Sequence, residues 1–167
     1  MIQPKKFTVY HAIGIFIIAN LISFLPAGFN GNEVFYNSFK LPAVAPPSWL
    51  FPPAWFFNNV TSLYALYKIA NLEASAERRG FLVAEAITWV LFAIFTTVYF
   101  GLKSPILGAI DTALALVFTI VSLILAFKLS KAAFWGILPR FLWLALATFV
   151  SIYAAIINRD EFFNIGR

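Results

Sequence analysis

Glu85, Asp111 and Arg140 stand inside long apolar runs of the sequence. An ionisable group costs roughly 2.5–3.5 kcal/mol to place at mid-membrane, so residues kept there mark either a packing contact or a site. Glu85 lies about one turn into its run, and Arg140 about two turns into another that enters from the same side. The two are placed to pair across helices, and an ion pair that fixes packing is the plainest use for them. Asp111 approaches from the opposite side, with Lys103, Lys40 or Arg159 as basic residues at that interface. It reads as a solvated or ligand-facing carboxylate, or as a group hydrogen-bonded to a neighbouring helix. Bond-making chemistry lacks its parts. There is no Cys and a single His, and the two carboxylates enter from opposite faces, so no nucleophile–base pair assembles. His11 reads as a solvated interfacial residue. No disulfide, metal cluster or paired haem ligation is available, and neither a cofactor nor a metal is expected.

The elements that must position these residues are membrane helices. Of 167 residues, 62% are hydrophobic and 11% charged, against about 45–50% and 25% in soluble domains. That excludes a water-soluble globule and matches the roughly 100 apolar residues that five spans of ~20 residues require. The net charge of +5 comes from basic residues scattered singly, which excludes a nucleic-acid-binding stripe. Continuous apolar runs, not alternating ones, favour helices over a barrel. The reading is all-α: an integral membrane five-transmembrane-helix bundle forming a single domain over 1–167, with spans at about 7–27, 46–67, 81–101, 106–127 and 132–157. The first run is longer than the apolar core of a signal peptide, about 7–15 residues, and is read as a span. Short breaks at Lys103–Pro105 and Lys128–Lys131 make their flanking helices antiparallel neighbours. Lys5, Lys6, Lys68, Arg78, Arg79, Lys128 and Lys131 fall on one side, against Lys40, Lys103, Arg159 and Arg167 on the other. In a bacterial inner membrane, where the positive-inside bias holds, the excess predicts a multi-pass protein with a cytoplasmic N-terminus.

Helical spacing draws polar and aromatic residues into stripes. They are Trp55, Asn59 and Ser62 in the second span, and Glu85, Thr88, Phe92 and Thr96 in the third. The fourth carries Asp111, Ala115, Phe118 and Ser122, and the fifth Arg140, Trp143, Ala147 and Ser151. One stripe alone is ordinary helix packing, but four of them with aromatic members predict a cavity. At the entry to the second span, Pro42, Pro46, Pro47, Trp49, Phe51, Pro53 and Trp55 read P-x-x-x-P-P-x-W-x-F-x-P-x-W. Proline fixes φ and withholds an N–H, so this segment stiffens the helix entry, while the tryptophans present flat amphipathic rings at headgroup level.

With that spacing the chain resembles the translocator protein and tryptophan-rich sensory protein family, TspO/MBR. The family's W-Y pair corresponds to Phe35 and Tyr36, and its P-Y-x-x-W-x-x-F-A-T to Pro139, Trp143, Ala147 and Thr148. The chain departs from the family at Thr88, Phe92 and Phe95, where members carry Gln, Asn and Trp, and at Arg140 and Ser151, where they carry Tyr and Asn. The resemblance implies a five-helix membrane protein, commonly a homodimer, that binds tetrapyrroles such as porphyrin and, in animals, cholesterol, under a cover made by the first loop. Taken with the stripes, the residues expected to bind ligand are Phe35, Tyr36, Pro46, Trp49, Trp55, Asn59, Phe92, Asp111, Trp143, Ala147 and Ser151, with Lys40 or Arg140 to meet a guest's carboxylates. Val150, Tyr153 and Arg159 satisfy the loose sterol-binding pattern, as do Val60, Tyr64 and Lys68, so that pattern discriminates little. The expected function is binding of a flat apolar molecule for transport or for a sensory, regulatory role. The alternatives are a porphyrin-degrading enzyme and a proton- or ion-coupled carrier that uses Asp111 and the Glu85/Arg140 pair.

Overall fold

The computed structural model describes residues 6–29 and 32–166; Lys5 and Arg167, counted in the charge bias, lie outside them. Its elements are α1 (Val9–Phe29), the short α2 (Asn32–Asn37), a 3-10 turn (Ser48–Leu50), α3 (Phe51–Ala70), α4 (Ala76–Thr96), a π-turn (Thr97–Gly101), α5 (Pro105–Leu129) and α6 (Lys131–Ile157). No strand occurs among the described residues. Segments Ala76–Gly101, Pro105–Leu129 and Lys131–Ile157 are long and apolar enough to cross a membrane, and Val9–Leu25 is a shorter apolar helix.

Each boundary has a local cause. Serines 75, 104 and 130 cap α4, α5 and α6, accepting from the N–H groups of Arg78, Leu107 and Ala133, which satisfies donors the first turn leaves free. The second span was expected from about residue 46, yet regular helix begins at Phe51. The reason is Pro46–Pro47: a residue before proline is held out of the α region, and Pro47 itself is extended with ψ 149°. Proline at the start of α3 then costs little. Between α4 and α5 the chain widens into the π-turn, and Lys103 turns it through a left-handed φ of 51°.

Side by side, the long helices form a ring in the order α1, α4, α5, α6, α3 and back to α1. Short connections explain why α4–α5 and α5–α6 pack most closely. Gly136 lets α3 and α6 approach: a Cβ there would stand 2.8 Å from the carbonyl oxygen of Thr61 and 3.1 Å from the Ala65 Cβ. Small residues at such contacts are how helices associate in lipid. The ring is solid at one end, where Leu66, Ile69, Phe81, Ala126, Ala133 and Ile137 pack together. Outward, Val83, Val90, Val117, Ile124, Leu142 and Phe149 are exposed, as a lipid-facing surface requires.

Across the ring, α4 and α6 are joined by Glu85 and Arg140, which are 1% and 3% exposed. Arg140 donates from both terminal nitrogens, Nη1 to Glu85 Oε2 at 3.1 Å and Nη2 to Oε1, the fork-to-fork form of the pair. Beyond α6 the chain folds back on the start of α5. The Asp160 carboxylate accepts from the Ser104 hydroxyl (2.7 Å) and from the N–H groups of Ile106 (3.0 Å) and Phe163 (2.9 Å). Burial works against its charge, but these hydrogen bonds outweigh it and hold the carboxyl below its ordinary range.

Two outcomes are expected. Arg140→Met leaves Glu85 buried and unpaired and should cost about 3–5 kcal/mol, whereas Glu85→Leu/Arg140→Met should cost far less than the two single changes added together. Unfolding of detergent-solubilised protein, read by circular dichroism, measures both. Because the folded pKa of Asp160 lies below the unfolded value of about 3.9, its contribution is complete above that pH and disappears as pH falls through the folded value. Amides of residues 158–166 should therefore lose hydrogen-exchange protection in acid, and Asp160→Asn should produce the same loss at pH 7.

Candidate ligand cavity

At the end of the ring opposite the solid core lies a cavity of about 520 Å³, within the roughly 300–1,000 Å³ that small-molecule sites occupy. The first turns of α3 supply Phe51 and Trp55, the end of α4 supplies Phe92 and Phe95, and the π-turn adds Tyr99 and Phe100. From α6 come Trp143, Ala147, Val150 and Ser151, and from α1 Asn20 and Ser23. Rings hold one another edge-on: Trp143 stands 5.6 Å from Phe51 and 6.4 Å from Trp55, both at 80°. Trp55 meets Phe92 at 5.1 Å. Such packing locks ring orientation while leaving faces open to a guest. Gly108 makes room for one wall, since a Cβ there would collide with the Tyr99 ring.

The segment between α2 and α3 closes over this space. Tyr36 is buried and donates its hydroxyl to the Pro46 carbonyl at 2.9 Å, fixing the proline segment from beneath. Burial raises the Tyr36 pKa above its ordinary value, so the phenol stays a donor. The far end of the segment is held by Asn158, whose amide accepts from the Lys40 N–H (2.9 Å) and donates to the Lys40 carbonyl (3.0 Å). Trp49 borders the cavity at its mouth while remaining 70% exposed.

The residues singled out from sequence divide into groups. Tyr36, Pro46, Trp49, Trp55, Phe92, Trp143, Ala147 and Ser151 line the cavity. Phe35 does not; it packs behind the wall, 4.6 Å from Phe39 and 5.5 Å from Tyr99. Neither basic residue expected to meet a guest's carboxylates lines the cavity: Arg140 is committed to Glu85, and the Lys40 side chain is exposed. Asn59 and Asp111 belong, with Arg140, to a separate chamber of about 20 Å³. In the loose sterol pattern, Val150 faces inward while Tyr153 is exposed, and Arg159 donates to Asn164. His11 stacks on Phe7 and bonds to Thr8 at the start of α1. Sequence reasoning missed Tyr99, Phe100 and the α1 pair Asn20 and Ser23. Both pairs had a readable signal: Asn20 and Ser23 are spaced i, i+3, and Tyr99 and Phe100 continue the Phe92, Thr96 stripe at i+3 and i+4.

Comparison with known proteins identifies relatives of the chain. The chain is 26% identical over 125 residues, 74% of its length and 79% of the relative's, to "Tryptophan-rich protein TspO" of Chlorobaculum tepidum. It is 30% identical over 136 residues, 75% and 78% of the two chains, to "Tryptophan-rich sensory protein" of Cereibacter sphaeroides. It is 33% identical over 147 residues, 84% and 91% of the two chains, to "Uncharacterized membrane protein YtaB" of Bacillus subtilis. The sequence profile of the TspO/MBR family matches residues 12–157. With its all-helical bundle and apolar spans, this chain belongs to the TspO/MBR family of membrane proteins.

Proposed function

We propose that the chain binds a flat, apolar molecule of the tetrapyrrole class in the 520 Å³ cavity and serves transport or sensing. The observation that carries the reading is the ring-lined interior itself. Trp55, Trp143, Phe51 and Phe92 border one space from two helices and their neighbour, giving a planar guest faces to stack on. The polar groups there are uncharged, among them the Asn20 amide and the hydroxyls of Ser23, Thr96, Thr112 and Ser151, and the Trp143 indole N–H is buried without a protein partner. A guest with acidic side chains therefore binds with those groups toward the mouth, since no basic residue among those described lines the interior. The sensory half of the reading is supported by the printed name of the Cereibacter sphaeroides relative. The charge bias supports an N-terminus in the cytoplasm.

Adding protoporphyrin to the purified protein should quench tryptophan fluorescence saturably. Trp143→Ala should weaken binding roughly tenfold, the loss of one good ring contact of about 1–1.5 kcal/mol. Trp135→Ala, which removes a ring that is 65% exposed on the outer face, should leave affinity unchanged. Equal losses in both variants would refute the cavity as the site. Orientation is testable because the chain has no Cys. In intact cells an external maleimide should label Asn37→Cys and spare Glu73→Cys.

A further inference from the structure

The 20 Å³ chamber shares Trp55, Phe92, Phe95 and Thr112 with the larger cavity and lies between α3, α4, α5 and α6. Its hydrogen-bonding groups do not balance. Arg140 spends both terminal nitrogens on Glu85, yet its Nε is buried without a partner. Asn59 Nδ2 and Trp89 Nε1 are in the same position. The side chains of Asn59, Arg140 and Trp89 are 3%, 3% and 7% exposed. Asp111, 7% exposed, completes the polar wall and makes no hydrogen bond or ion pair to a described residue.

An unpaired buried donor costs about 1–3 kcal/mol, so a void lined by three residues that each carry one, and by a carboxylate, calls for an occupant that both accepts and donates. The void exceeds the roughly 10–15 Å³ that one water needs. An anion would face Asp111 and Glu85. A metal cation would face Arg140 and inward N–H groups, and a methyl group would leave every donor unpaired. We infer that the chamber is a binding site for one hydroxylic oxygen, which accepts from Arg140 Nε and one neighbouring N–H and donates to Asp111. The oxygen belongs to a water molecule or to an O–H group of a guest in the adjoining cavity. Either way, it ties Asp111 on α5 to the Glu85–Arg140 pair and brings four helices to one point.

The test is a set of crystal structures of the full chain in lipid, at a resolution that shows ordered water, with and without protoporphyrin. A density peak within hydrogen-bond distance of both Arg140 Nε and the Asp111 carboxylate is expected in the guest-free crystals. If it remains isolated when the guest is present the oxygen is water's, and if it becomes continuous with guest density the guest supplies it. An empty chamber in both crystals, or Asp111 in direct contact with Arg140, would overturn the inference. Asp111→Leu should abolish the peak while Glu85 and Arg140 stay paired; a peak that persists unchanged counts against the site. Should that variant fail to fold, Asp111→Asn, which keeps shape and hydrogen-bonding capacity, must retain the peak. The guest-free arm stands whatever the cavity binds, so failure here and failure of the tetrapyrrole reading are separable.

Discussion

The bundle is organised around a charge pair that spans its interior. Glu85 and Arg140 sit on helices that are not ring neighbours, and their bidentate contact closes the centre of the ring between α3 and α5. Neither residue is tolerable there alone, because a single buried charge in an apolar interior has no compensation. That requirement fixes the rotation of both helices about their axes. Once Arg140 points at Glu85, Trp143, Ala147 and Ser151 follow at helical spacing and must face the same interior. The aromatic cavity is thus a geometric corollary of where the charges meet.

Packing divides the molecule along its length. Near the α3–α4 and α5–α6 connections, apolar side chains interlock into a solid core. Toward the other end, large rings stand edge-on and leave space. Two glycines mark the difference. Gly136 brings two backbones together in the filled region, and Gly108 makes room for a ring beside the hollow one. One end supplies rigidity, and the other can keep its walls apart because the prolines at the starts of α3 and α5 and the Ser104 cap of α5 stiffen the chain there.

Much of this was legible in the sequence, for physical reasons that also mark where legibility stops. Long apolar runs announce helices because lipid offers the backbone no other partner. The Trp143, Ala147, Ser151 stripe is readable because α6 keeps its period through that stretch. Pro46 was readable as a stiffener, but the five-residue delay before regular helix begins at Phe51 depends on how consecutive prolines constrain one another. Tyr99 and Phe100 extend the Phe92, Thr96 stripe at helical spacing, but the π-turn at Thr97–Gly101 that carries them has no mark in that spacing. Lys40 and Arg140 looked interchangeable as anion partners. Only the fold shows that one is spent on a carboxylate and that the other offers its backbone, not its side chain, to a contact.

That backbone contact bears on how firmly the covering segment is held. The Asn158 amide imitates one rung of a β-ladder against Lys40, gripping the cover by two hydrogen bonds at an exposed position. Exposed bonds of this kind trade readily with solvent and contribute only about 1 kcal/mol each. The covering segment is accordingly latched weakly at its Lys40 end and firmly at Pro46, where Tyr36 is buried. The edge beside the C-terminus of α6 is thus the weaker of the segment's two attachments.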